Sequence, residues 1–120
     1  MTPHFSDDEL VCKCGCGMLP QADFMAKVEK LRVQAGFPFP VTSGARCPKH
    51  NNAVSGTGLI GPHTTGRAID IAVSRAQAHR LLVLACAAGF TGIGVNQKGN
   101  NRFIHLDDLE TSARPAIWSY

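Results

Sequence analysis

The sequence predicts an α+β fold, a small and mainly antiparallel sheet with helices packed on one side. Three observations predict it. Two long segments, residues 21–35 and 74–88, carry apolar side chains at helical spacing. Several short strand candidates are scattered between and after them. Two of these, residues 91–95 and Phe103–Asp107, are separated by a tight turn of Gly and Asn at 97–101, which fits an antiparallel pair.

The elements follow in chain order. Ser6-Asp7-Asp8-Glu9 has the form of a capping box, with Ser6 as N-cap and Glu9 reaching back, and sets a short helical turn after Phe5. Residues 12–20, with two glycines and a proline, read as loop. In the first long helix Phe24, Val28, Leu31 and Ala35 fall at i, i+4, i+7 and i+11 and form one apolar stripe. Gly36 stops that helix, and Pro38 and Pro40 prevent its continuation. Val41–Ser43 is a short strand. Residues 44–66 hold five glycines and two prolines and read as a long loop with one helical turn near Asn51, Asn52 and Ala53. A loop of that length in a small domain is usually functional. Residues 68–73 alternate as a strand does. Ser74 caps the second long helix, Gly89 ends it, and Ala78, Leu81, Leu82, Ala85 and Cys86 form its buried stripe. Residues 115–120 close the chain as an edge strand.

The 120 residues fit a single domain, 1–120, large enough to bury a core without disulfides. Apolar residues make up 44% and charged residues 18%, which excludes a disordered chain. The net charge of +3 suits an anionic polymer such as cell wall. Lys and Arg are scattered, not clustered, so no nucleic-acid partner is expected. No segment reaches the roughly 18 apolar residues of a membrane span, so no membrane insertion is expected. Residues 1–9 are polar and acidic, unlike a signal peptide, so synthesis in the cytoplasm is expected. Five cysteines, an odd number, argue against a plain disulfide framework.

Three residues suit a metal. His63 lies in the glycine-rich loop, Asp70 in the apolar strand Ala68–Ile71, and His105 in the apolar strand Phe103–Asp107. An acid between Ile69 and Ile71 is costly to bury unless it is paired or bound to a cation. Zinc takes imidazole nitrogen and carboxylate oxygen, and catalytic sites use three protein ligands. Taken singly, a strand histidine is more often a hydrogen-bonded core residue than a ligand.

The surrounding words sharpen this. Ser43-Gly44-Ala45-Arg46-Cys47-Pro48-Lys49-His50-Asn51, then His63-Thr64-Thr65-Gly66-Arg67-Ala68-Ile69-Asp70-Ile71, then Phe103-Ile104-His105-Leu106-Asp107 resemble, in that order, the zinc D-Ala-D-Ala carboxypeptidase family of peptidoglycan peptidases, especially its short phage and bacterial members. Phe5-Ser6 and the cysteine run at 12–17 look like that group's N-terminal region, so the resemblance spans nearly the whole chain. It implies zinc on His63, Asp70 and His105, a fold of the hedgehog and DD-peptidase kind, and cleavage of peptide bonds next to D-amino acids in wall stem peptides or cross-links. It also implies action at the cell wall after release by a holin, a tail assembly or lysis. A monomer is expected.

The remaining roles follow by chemistry. Many relatives place an acid three residues before the last histidine, where this chain has Arg102. Among the nine acids, strand alternation puts Asp107 on the His105 face and Asp108 on the other. Asp107 is therefore the expected catalytic base; the competing role is to orient a ligand histidine. Arg46 is expected to bind a substrate carboxylate through paired hydrogen bonds. His50 either touches substrate or holds the loop. Cys12, Cys14, Cys16 and Cys47 have three open readings: a second structural zinc, a disulfide involving Cys47, or reduced packing residues. Catalytic loss with retention of the fold, leaving a wall-binding or structural module, is the rival to the enzyme.

Overall fold

Five strands form one sheet in the computed structural model, which describes residues 1–120. In chain order the elements are α1 (Asp7–Leu10), α2 (Ala22–Ala35), β1 (Val41–Ser43), α3 (Pro48–Val54), a 3-10 turn (Pro62–Thr65), β2 (Ala68–Ile71), α4 (Arg75–Ala87), β3 (Gly92–Asn96), β4 (Phe103–Asp107) and β5 (Ala116–Ser119). The strand order is β1-β2-β4-β3-β5. Every pairing is antiparallel except β3 with β5. The expected α+β architecture is present, and β5 is an edge strand as expected.

Alternation divides the sheet into two chemically distinct faces. Ile69 and Ile71 of β2, Ile93 of β3, and Ile104 and Leu106 of β4 point to one face and join the core. Phe24, Met25, Val28 and Leu31 of α2 and Ala78, Leu81 and Ala85 of α4 cover that face. Phe24 meets Phe90 edge-on with ring centroids 6.2 Å apart. Removing each such large side chain from water stabilises the fold by roughly 1.5–3 kcal/mol. The other face carries Asp70, Gly92, Gly94, His105, Asp107 and Trp118, because Asp70 pairs with His105, Gly92 with Asp107, and Gly94 with both His105 and Trp118.

Helix ends follow the sequence with small differences. Gly36 takes the left-handed conformation (φ 75°) at the end of α2, and its N–H donates to Arg32 O. Ser6 precedes α1, but its hydroxyl bonds the Glu9 carboxylate at 3.2 Å and caps no backbone N–H. The helical turn expected near Asn51 is present as α3, two turns long with Pro48 at its first position, and residues 44–66 also contain the 3-10 turn. One expectation is corrected. Cys86 is exposed, not core. The buried stripe of α4 centres on Ala78, Leu81 and Ala85, and Cys86 lies one residue, about 100° of helix, beyond it. No helix is long and apolar enough to cross a membrane.

Candidate metal centre and active site

His63, Asp70 and His105 converge on the polar face of the sheet. Asp70 and His105 face each other across the β2–β4 ladder, and the 3-10 turn brings His63 above them. Asp70 Oδ1 lies 3.2 Å from His63 Nε2 and 3.0 Å from His105 Nδ1. The two imidazoles meet edge-on at 5.1 Å. All three residues are buried. In a tetrahedron with bonds near 2.1 Å the ligand–ligand edges are about 3.4 Å, so the spacing fits zinc.

The tautomers point the same way. His63 Nδ1 is 2.7 Å from Gly44 O, and a carbonyl only accepts, so Nδ1 donates and Nε2 keeps its lone pair. His105 Nε2 is 2.8 Å from Asp107 Oδ2, so Nε2 donates and Nδ1 keeps its lone pair. Both lone pairs then face the Asp70 carboxylate, an acceptor. Three acceptors facing one another need shared protons or a cation between them. With protons there in place of a cation, burial pushes the Asp70 carboxyl up, but hydrogen bonds from both protonated imidazoles hold it well below the usual carboxylate range. Burial lowers His105, yet Asp107 and Asp70 together raise it above the ordinary imidazole value.

Asp107 stands behind His105, away from the cavity, and is fully buried. Arg114 grips it with Nε to Oδ1 at 3.0 Å and Nη2 to Oδ2 at 2.8 Å. Burial raises its carboxyl, but His105 and Arg114 bring it down to about 2. Gly92 lies against this carboxylate; a Cβ there would collide with it. Both of its oxygens are engaged, by His105 and by Arg114, an arrangement that matches the competing role of orienting a histidine. Asp108 points away, as alternation requires, and pairs with Arg67 and Lys27.

A cavity of about 600 Å³ opens over these three residues, walled by Arg46, Asn51, Phe103, Arg114, Trp118 and Tyr120 among others. Arg46 is part of that wall. Its Nε donates to Ser43 Oγ at 3.0 Å and its Nη1 to Asn51 Oδ1 at 3.1 Å, while Nη2 lies 3.6 Å from Asp70 Oδ2. Asn51, buried in α3, ties this arginine to the following loop through Thr57 Oγ1 and Gly58 O. His50 is not in the cavity wall, and its backbone N–H donates to Cys47 Sγ at 3.4 Å. Arg102 also lies outside the wall, with its Nε on Gly99 O.

Sequence reasoning missed Asn51, Arg114 and Trp118. The Arg114 guanidinium lies 5.0 Å over the Trp118 ring, which in turn sits 5.1 Å from His105. The available signal was the alternation of Ala116, Trp118 and Tyr120 opposite Gly92 and Gly94 on the neighbouring strand. A glycine facing an aromatic across a ladder marks a close approach.

An α+β sheet that presents two imidazoles and one carboxylate at the floor of an open cavity offers a candidate three-ligand metal centre of the kind that hydrolases use. The family model described as Peptidase M15 matches residues 3–107, and the chain belongs to that family. The match includes Arg46, His63, Asp70, His105 and Asp107, and it ends before Arg114 and Trp118. Members of the family are zinc enzymes, so the chain is a metallopeptidase by family. No curated protein matches the sequence.

Proposed function

We propose that this protein is a zinc-dependent peptidoglycan peptidase that hydrolyses peptide bonds adjacent to D-amino acids, in stem peptides or cross-links. The observation that carries the reading is the meeting of His63, Asp70 and His105 with Arg46 in one cavity. When bound, zinc supplies Lewis-acid chemistry that polarises a carbonyl and acidifies water. The chain's own groups do the rest. Gly44 O and Asp107 fix the two imidazole tautomers. Arg114 keeps Asp107 ionised. Arg46, braced by Ser43 and Asn51, presents its remaining N–H groups to a substrate carboxylate such as that of a terminal D-Ala. Phe103, Trp118 and Tyr120 supply apolar wall for the peptide backbone and methyl groups. The protein acts as a monomer at the cell wall, reached through a holin, a tail assembly or lysis.

One observation favours a second reading, wall binding without turnover: Asp70 is the sole carboxylate lining the cavity. Zinc-loaded protein incubated with purified peptidoglycan separates the two. New free amino groups, with cleaved muropeptides in the mass spectrum and none from His63→Ala, support the peptidase. Sedimentation with the wall but no amine release supports the binding module and overturns the enzyme.

A further inference from the structure

We propose that Cys12, Cys14, Cys16 and Cys47 form a second, structural zinc site of four thiolates, independent of the histidine centre. All four sulfurs lie within 4.8 Å of one another, although Cys47 is more than thirty residues from the others. Cys14 Sγ is 3.5 Å from both Cys12 Sγ and Cys47 Sγ. With zinc–sulfur bonds near 2.3 Å, the edges of a tetrahedron are about 3.8 Å, so the thiols already stand close to that arrangement.

The backbone is shaped to deliver them. Gly15 and Gly17 adopt φ of 86° and 85°, a conformation side chains disfavour, and nothing lies within 4 Å of a Cβ at either. Glycine is needed there for the turn and not for space. Cys12 N–H donates to Met18 O at 2.9 Å and closes the loop. Two further N–H groups address sulfur: Cys47 N–H donates to Cys12 Sγ at 3.3 Å, and His50 N–H donates to Cys47 Sγ at 3.4 Å. Such bonds stabilise thiolate charge around a metal. Cys14 and Cys16 are exposed, which gives the ion a path in, whereas two exposed thiols contribute nothing as packing.

The position gives the site a purpose. Cys47 directly follows Arg46 and precedes α3, which carries Asn51. An ion there joins the N-terminal loop to the root of the cavity wall. It leaves the His63, Asp70 and His105 centre untouched.

The test counts metal and identifies its ligands. Protein purified with reductant, loaded with zinc and desalted is expected to hold two zinc ions per chain. His63→Ala/His105→Ala and Cys14→Ser/Cys16→Ser are each expected to hold one. Cobalt-loaded His63→Ala/His105→Ala is expected to show the intense near-ultraviolet absorption of thiolate-to-cobalt charge transfer. The cobalt spectrum of the unsubstituted protein decides the matter if either variant fails to fold. A single zinc that disappears with His63 and His105 overturns the proposal. So does a cobalt spectrum without sulfur charge transfer, a disulfide among the four cysteines in the freshly reduced and zinc-loaded protein, or iron in place of zinc. None of these readouts depends on hydrolysis, so failure of the peptidase reading is seen separately.

Discussion

Asp107 shows how one residue's role depends on a partner that its own stretch of sequence does not announce. Alternation correctly put it on the His105 face. What the alternation did not show is Arg114, which returns through the turn before Pro115 and binds both carboxylate oxygens. Asp107→Asn keeps the volume but replaces an acceptor-only group facing His105 Nε2 and Arg114. Zinc affinity should fall about 10–100-fold, the usual cost of losing such support, measured by competition with a chromophoric chelator. Unchanged affinity with abolished turnover would make Asp107 the base. Arg46 invites a different measurement. Arg46→Lys retains the charge but loses the planar fork that bridges Ser43, Asn51 and a carboxylate. KM for peptides ending in a free D-Ala carboxylate should rise at least about tenfold, roughly 1.4 kcal/mol, while kcat changes less. An unchanged KM removes Arg46 from substrate recognition.

Elements were legible where one periodicity ran long enough to be counted. The stripes of α2 and α4 and the β3–β4 hairpin were readable because each buries one face against a single neighbour. The stretch 44–66 was not, since its helical turns are short and held by side chains. Thr64 Oγ1 donates to Gly61 O and accepts from Gly61 N–H, and Asn51 ties α3 to Thr57 and Gly58. Contacts between elements were also hidden. Asp108, just past β4, accepts from Lys27 of α2 at 2.7 Å and from Arg67, before β2, at 2.8 and 2.7 Å. Burial raises its carboxyl, but Arg67 and Lys27 more than offset this and hold it below the ordinary value. A depressed carboxylate contributes stability above its unfolded pKa and loses it as pH falls through the folded value. Asp108→Asn should therefore cost about 2 kcal/mol near neutral pH. The gap between the two proteins in urea unfolding should close below about pH 4. A gap that persists in acid means the pair contributes by shape and not by charge.

At the scale of the whole molecule, the sheet separates stability from chemistry. The seventeen-residue core lies on the helix-covered face and includes none of His63, Asp70, His105 or Arg46. Asp70 and His105 sit on central strands whose ladders hold them in place with or without a metal. His63 and Arg46 instead ride on residues 44–66, whose backbone meets the rest through bonds such as Ala45 N–H to Leu10 O and Gln21 N–H to Gly66 O. A metal on His63, Asp70 and His105 would thus fasten the loop to the sheet and leave the core untouched. Local opening of the loop should then carry the binding free energy, while global unfolding of the core carries little of it. With free zinc at a thousand times Kd that energy is about 4 kcal/mol, or about a thousandfold in amide exchange. Chelation should accelerate exchange across residues 44–66 toward that limit, with β2, β4 and α2 unchanged and the far-ultraviolet circular dichroism preserved. In the Cys14→Ser/Cys16→Ser background, which leaves the histidine centre alone, His63→Ala should exchange at the fast rate regardless of zinc. Cooperative loss of the whole sheet on chelation would show that the metal holds the fold together, and that the two faces are not energetically separate.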